Sequence, residues 1–126
     1  MSLSFQPTQD ALKNLESALK IVSPSDLERD GTVQRFEYSY EILWKLGQRV
    51  LQQHEVQAEY PKAVFRELGR LGWISNVEEW LEFQTARNNS SHEYGIKYAN
   101  TSYQLAKVFL PLALNLFEVL KSKINA

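Results

Sequence analysis

Apolar side chains recur at three- and four-residue steps through most of the chain, which is the spacing of amphipathic helices. No segment shows the alternation of a half-buried strand. The spacing predicts a first helix over residues 8–22, a second over residues 32–54 and a last over residues 97–124. Pro24 is expected to end the first helix because its ring disfavours helical backbone in the preceding residue. Residues 26–31 are predicted as a turn.

The middle of the chain predicts one helix that is interrupted. Pro61 suits the first turn of a short helix, which is expected to end near Leu71 and Gly72. Residues 75–78, Ser-Asn-Val-Glu, match a capping box and predict the start of a further helix that Gly95 ends. The whole pattern predicts an all-α fold, an antiparallel up-and-down four-helix bundle with one interrupted helix.

The last predicted helix carries a wider apolar arc than one bundle core requires. Two apolar seams lie side by side, the first formed by Ala99, Tyr103, Ala106, Leu110, Ala113, Phe117, Leu120 and Ile124, the second by Leu105, Phe109, Leu112, Leu116 and Val119. This surplus predicts a homodimer interface. The alternative is a central helix that is covered on both sides. Pro111 is expected to kink the helix slightly.

Composition narrows the class of protein. At 126 residues and 44% hydrophobic content, the chain is expected to form a single domain, residues 1–126. It has no cysteine, which excludes disulfides, and its formal net charge of -1 gives no overall attraction to nucleic acid or anionic membrane. We find no apolar run of the roughly 18 residues that a membrane span needs, and no signal peptide. A cytoplasmic protein without membrane contact is therefore expected.

Few residues belong to recognised catalytic, phosphate-binding or metal-binding motifs. The sequence lacks a Gly-rich phosphate loop and a metal-type cluster, and its two histidines are His54 and His92. We therefore predict no metal and no cofactor. Trp44, Trp73 and Trp80 are expected to pack in the core. His54, near the end of its helix, is expected to interact favourably with the helix dipole.

Residues 87–94 are the exception, because four of them can bind a phosphate or act on it: Arg87, Asn88, His92 and Tyr94. They also follow a core-like stripe. That stripe consists of Val77, Trp80, Leu81 and Gln84, and its continuation falls on Arg87, Asn88 and Ser91. Burying charge and amide without partners is costly, so a helix that turns polar on its inner face indicates a site.

Helical geometry limits how these residues can meet. On a continuous helix Arg87 and His92 point about 140° apart. They can line one pocket if the helix loosens after Asn88, or if two subunits share the site. The Asn-Asn-Ser-Ser run at residues 88–91 favours loosening, because such side chains compete for backbone hydrogen bonds.

Arginine and histidine together suit RNA cleavage without a metal. The 2′-hydroxyl attacks its own phosphodiester, Arg87 stabilises the developing charge, and His92 acts as base or acid. A two-fold dimer would supply a second histidine. The alternative is structural: Arg87 and Asn88 satisfy buried carbonyls or pair with Glu37 or Glu41, and His92 caps the helix. The residues alone leave both readings open.

The same residues resemble a known family. Arg87-Asn88, His92 and Tyr94 are similar to the R-x4-H-x-Y form of the HEPN motif. Residues 29–38, Arg-Asp-Gly-Thr-Val-Gln-Arg-Phe-Glu-Tyr, and residues 40–45, Tyr-Glu-Ile-Leu-Trp-Lys, resemble the second helix of its nucleotidyltransferase substrate-binding branch. Matches at residues 61–62, 72–74 and 80–81 extend the resemblance over most of the chain.

The resemblance implies a dimeric helical bundle that works beside a minimal nucleotidyltransferase, several such pairs being toxin and antitoxin. It implies a metal-independent RNase that the nucleotidyltransferase silences by adding AMP to the motif tyrosine. Arg87 and His92 would then be the catalytic pair, Asn88 a polar support and Tyr94 the AMP acceptor. The ligand would be RNA or a nucleotide.

Two other functions remain open at this point. The chain can be a non-catalytic subunit that binds nucleotide or substrate for a two-component nucleotidyltransferase. It can also be an assembly module, in which substitutions at residues 87, 92 and 94 alter stability alone.

Overall fold

A computed structural model describes residues 4–89 and 96–124, without the side chains of residues 88, 89 and 96. This part of the chain is helical and contains no strand. The helices are α1 Gln6–Leu19, α2 Asp26–Gln53, α3 Pro61–Arg70, α4 Val77–Asn89 and α5 Ile96–Lys123. The predicted all-α bundle is confirmed, with α3 and α4 as the two halves of the interrupted helix.

The helices alternate in direction. Arg35 donates to the carbonyl of Asn14 at 2.8 Å, and Ser39, one turn further along α2, donates to that of Ala11 at 3.2 Å. Because the partner position moves backwards on α1 as α2 advances, the two helices are antiparallel. The interrupted helix is antiparallel to α2, because Gly47 lies next to α3 while Tyr40, earlier on α2, bonds Gln84 on α4. The last helix, α5, is parallel to α2: Arg29 contacts Asn100 near its start, and His54 contacts Lys123 at its end.

Aromatic rings from four helices form the centre of the core. Phe109 on α5 lies 5.1 Å from Phe36 on α2 and 5.3 Å from Phe83 on α4, measured between ring centroids. Phe65 on α3 stacks on Trp80 at 4.9 Å. Burying each large side chain contributes about 1.5–3 kcal/mol, and edge-to-face pairs add about 0.5–1.5 kcal/mol. The predicted core positions of the tryptophans are confirmed, with Trp80 buried and Trp44 and Trp73 packed against the cluster.

Residues 26–31 are not a turn as predicted; they form the first turns of α2. Ser25 and Glu28 make a capping box, in which the Ser25 hydroxyl accepts from the Glu28 N–H at 3.1 Å and the Glu28 carboxylate accepts from the Ser25 N–H at 2.9 Å. This cap is worth about 0.5–2 kcal/mol, which offsets the cost of Gly31 inside the helix, about 0.5–1 kcal/mol.

The ends of α1 also differ from the prediction of residues 8–22. The helix begins at Gln6 with Pro7 in its first turn, where proline fits without losing a bond. It ends at Leu19, five residues before Pro24, so Pro24 is not what ends it. Val22, which was predicted to lie in the helix, is 95% exposed. The apolar spacing therefore continues past the helix without marking core residues.

The start of α4 is capped one residue later than predicted. The Asn76 side chain accepts from the Glu79 N–H at 3.2 Å, so Asn76 and not Ser75 provides the cap. The preceding α3 ends as predicted, with Gly72 at a φ of 78° and the N–H of Trp73 bonded to the carbonyl of Leu68 at 2.9 Å. This is a Schellman ending, which favours glycine at the left-handed position.

One glycine lets the two halves of the interrupted helix pack closely. A Cβ on Gly69 of α3 would overlap the side chain of Val77, the first residue of α4. A Cβ on Gly47 of α2 would lie 3.4 Å from Val64 and 3.5 Å from Leu68 of α3, which is ordinary van der Waals contact. The contact of α3 with α4 therefore depends on the absence of a side chain at Gly69.

The wide apolar arc of α5 is largely covered within the chain. In the second seam Phe109 and Leu116 are buried, while Leu105, Leu112 and Val119 are half-buried. Two apolar residues of α5 that belong to neither seam are exposed, Val108 by 44% and Leu114 by 38%. The arc is thus wide because α5 is central and covered within the chain, as the alternative interpretation had it. The homodimer stays a prediction, and the width of the arc no longer supports it.

None of the helices in residues 4–89 and 96–124 is long and apolar enough to cross a membrane.

We expect Gly31→Ala to stabilise the protein by about 0.5–1 kcal/mol, because a Cβ there meets nothing within 4 Å and alanine favours helix. Gly69→Ala is the matched control in another helix interior, and it should destabilise because the added Cβ collides with Val77. Urea unfolding of both variants measures the difference. Equal shifts in the two variants would contradict the packing described for α3 and α4.

Candidate functional site

Arg87 lies in the last turn of α4, beside the buried face of that helix. Phe83 and Ala86 are buried there, while Gln84 and Arg87 are half-buried beside them. The Nε atom of Arg87 is shielded from solvent. Arg87 is thus half-buried next to the core face of α4, but that face runs through Phe83 and Ala86, which the predicted stripe did not include.

The other predicted site residues lie outside the described part of the structure. Asn88 belongs to α4, but its side chain is not described. Residues 90–95, which include His92 and Tyr94, are not described at all. The roles assigned to Asn88, His92 and Tyr94, and the loosening of the helix after Asn88, remain predictions.

A hydrogen bond anchors α4 one turn before Arg87. The hydroxyl of Tyr40 on α2 donates to Oε1 of Gln84 at 2.7 Å. Tyr40 is 0% exposed, and its ring contacts Phe65 and Phe109. Burial, assisted by the neighbouring Glu41 carboxylate, raises the pKa of Tyr40 far above its ordinary value. The hydroxyl therefore keeps its proton and remains a donor at neutral pH.

A second contact holds the start of α5. Tyr98, in the first turn of α5, donates its hydroxyl hydrogen to Oε2 of Glu37 on α2 at 2.5 Å, a distance typical of a charge-assisted bond. Arg29, also on α2, donates to the Asn100 side chain at 3.4 Å. Both α2 residues belong to the stretch that carries the family resemblance.

The Glu41 carboxylate is occupied within its own helix. It accepts from the Trp44 indole N–H at 3.2 Å and lies 3.3 Å from the Lys45 ammonium. Glu37 and Glu41, the carboxylates that the structural alternative offered to Arg87, thus each have other described partners.

His54 has a structural environment at the opposite end of α2. It caps the C-terminus of α2, lies within 2.7 Å of the Lys123 carbonyl, and packs edge-on against Trp73. Seventeen residues of helix, about 25 Å, separate it from Glu37. The described side chains form no group of three or more His, Cys, Asp or Glu that could hold a metal ion.

Tyr40, Gln84 and Tyr98 were not predicted as parts of this region. Gln84 was predicted only as a member of the core-like stripe, Tyr40 belonged only to the stretch that resembles the family, and Tyr98 falls outside both seams of α5. The available signal was the polar face of α2, on which Glu37 and Glu41 recur four residues apart.

A helical bundle with a half-buried arginine at the end of α4 fits the class of protein that the motif indicated. The family described as "nucleotidyltransferase substrate binding protein like" matches residues 3–122. The chain therefore belongs to the nucleotidyltransferase substrate-binding branch of the HEPN family, as the resemblance implied.

Individual relatives agree with this assignment. A Haemophilus influenzae protein named "Probable ribonuclease HepT" is 32% identical over 98 residues, which cover 74% of this chain and 67% of that protein. A solved Haemophilus influenzae structure, described as the fold of a substrate binding domain of a nucleotidyltransferase, is 28% identical with a TM-score of 0.84 over 94% of this chain and 99% of its own. A solved structure from Thermus thermophilus is 26% identical with a TM-score of 0.85, covering 90% of this chain and 98% of its own.

We expect Tyr40→Phe to lower the free energy of unfolding at pH 7 by about 0.5–1.5 kcal/mol, because the variant lacks the hydrogen bond to Gln84.

In the wild type, the raised pKa of folded Tyr40 also makes the free energy of unfolding depend on pH. Above about pH 10 unfolded Tyr40 loses its proton and folded Tyr40 keeps it, so the unfolding free energy falls by up to about 1.4 kcal/mol per pH unit. Urea unfolding between neutral and alkaline pH should show this decline in the wild type and a smaller one in Tyr40→Phe.

Tyr38→Phe is the matched control, because Tyr38 lies on the same helix and is 58% exposed. It should follow the wild-type decline. Identical alkaline slopes for the wild type and Tyr40→Phe would show that Tyr40 is not held protonated by the fold.

Proposed function

We propose that this chain is the HEPN-type partner subunit of a minimal nucleotidyltransferase and a metal-independent RNase toxin, silenced by AMP addition at Tyr94. The observation that carries the proposal is the position of Arg87, a half-buried cation at the end of α4, within a chain of this family. The relative named as a ribonuclease supports the reaction. The Haemophilus structure described as a substrate binding domain of a nucleotidyltransferase supports the partner.

The reaction uses few groups. The 2′-hydroxyl oxygen of the RNA attacks the adjacent phosphorus, and the P–O bond to the 5′-oxygen of the next nucleotide breaks. One His92 takes the 2′-hydroxyl proton, and the departing 5′-oxygen is protonated by a second acid, which in a two-fold dimer is the other His92. The Arg87 guanidinium faces the phosphoryl oxygens, where its fork stabilises negative charge. Asn88 supports the phosphate with a neutral donor.

Silencing follows from the chemistry of AMP. The Tyr94 hydroxyl loses its proton to a base or to water, and its oxygen attacks the α-phosphorus of ATP bound to the partner enzyme. Pyrophosphate leaves, and the new Tyr94–AMP bond makes a phosphodiester. This adds a negative phosphate close in sequence to Arg87 and His92, together with a bulky nucleoside. The attached phosphate then competes with RNA for the same cation.

A non-catalytic role is the second candidate. It is favoured by the family description and by the Haemophilus structure, which both refer to substrate binding by a nucleotidyltransferase. In that role the same Arg87 end of α4 holds a nucleotide phosphate and no RNA is cut.

We expect the purified protein to cleave RNA in excess chelator, and Arg87→Ala and His92→Ala each to lower the rate about 100-fold or more. Arg49→Ala and His54→Ala are matched controls, since Arg49 is exposed on α2 and His54 lies at the far end of that helix. Both controls should retain cleavage. Equal activity in all four variants would refute the RNase assignment, and nucleotide binding without any wild-type cleavage would favour the second candidate.

Incubation with the partner nucleotidyltransferase and ATP should add mass in units of AMP to the intact protein. Tyr94→Phe should abolish the addition, because phenylalanine has no oxygen to attack the α-phosphorus. Tyr60→Phe removes an exposed hydroxyl next to α3 and should leave the mass shift unchanged. A full shift in Tyr94→Phe would place the acceptor elsewhere.

A further inference from the structure

Two polar bonds join α2 to the two helices that flank residues 90–95. Tyr40 donates to Gln84, three residues before Arg87 on α4. Glu37 accepts from Tyr98 in the first turn of α5. Glu37 and Tyr40 are three residues apart, so they share one face of α2 and lie about 4.5 Å apart along its axis. One short stretch of α2 therefore bonds to both helices that flank residues 90–95.

The two flanking helices differ in how much apolar packing fixes them. Near its end, α4 carries Phe83, whose ring contacts Phe36 and Phe109. Of the described side chains at the start of α5, residues 97–100, only the small Ala99 is buried, and the first large buried side chain is Tyr103. Small side chains bury little area and contribute little to a fixed position.

The start of α5 therefore relies on polar contacts. The bond between Glu37 and Tyr98 is short and has an ionisable carboxylate as its acceptor, and both residues are half-buried. The second contact, from Arg29 to Asn100, is longer at 3.4 Å and also involves a guanidinium shared with Asp26 and Asp30. Of the two, the bond of Glu37 with Tyr98 has the more favourable geometry.

We infer that Glu37 and Tyr98 are a pair of positioning residues, which fix the start of α5 on α2 and thereby set the point at which residues 90–95, coming from the end of α4 that carries Arg87, reach α5. The pair touches no reacting atom; it acts through the placement of α5. Its consequence for RNA cleavage rests on the proposed function, whereas its effect on the start of α5 does not.

Four variants and one control test the pair. Glu37→Ala and Tyr98→Phe each remove the bond, and the double variant removes both of its partners. Glu37→Gln keeps an oxygen acceptor for the Tyr98 hydroxyl. Glu41→Ala is the matched control, a carboxylate one turn further along α2 whose described partners, Trp44 and Lys45, lie on α2 itself. All are compared at a temperature where circular dichroism shows them folded.

Hydrogen exchange of the amides in residues 96–100 is the direct readout. Exchange should become several-fold faster in Glu37→Ala and Tyr98→Phe, and stay near the wild-type rate in Glu37→Gln and Glu41→Ala. Wild-type exchange in Glu37→Ala and Tyr98→Phe would overturn the inference, whatever the protein catalyses.

RNA cleavage is the functional readout. Glu37→Ala and Tyr98→Phe should each lower kcat about 10-fold with KM unchanged, and the double variant should be no slower than either single one. Faster exchange with unchanged kcat, or additive losses in the double variant, would overturn the positioning role. A wild type that cuts no RNA contradicts the proposed function instead; the rate of AMP addition at Tyr94 then replaces kcat, and the exchange rates still decide the inference.

Discussion

The burial of Phe109 among rings from α2 and α4 is the interaction on which the bundle depends. Phe36 and Tyr40 approach this ring from one side, and Trp80 and Phe83 from the other. Because the cluster joins α2, α4 and α5 at one level, it fixes the distances between the helices that carry the candidate site. Tyr40 belongs to both regions, since its ring lies in the cluster and its hydroxyl bonds Gln84. Core packing and the placement of Arg87 are therefore physically coupled.

The polar contacts extend this arrangement towards the motif. Arg29, Glu37 and Tyr40 on α2 reach α5 or α4, whereas Glu41 stays within its own helix. The α2 segment that resembles the family thus contacts both helices that flank residues 90–95.

Much of the fold could be predicted from the sequence, because long helices with a regular apolar stripe bury that stripe almost regardless of context. The positions of Val33, Phe36, Leu43 and Val50 illustrate this. Local signals failed where a neighbour outweighed them: Gly31 indicated a turn, but the capping box at Ser25 extends the helix through it. Arg87 was recognised by its place after a stripe. Tyr98 was not, because its partner Glu37 lies 61 residues away and no local pattern encodes that contact.

The bare backbone at Gly69 has a mechanical consequence for Arg87. Val77 rests on that glycine at the first turn of α4, and Arg87 lies ten residues, about 15 Å, further along the same helix. Because α4 is one continuous helix, the position that Gly69 allows Val77 to take is also part of what sets the position of the helix end that carries Arg87.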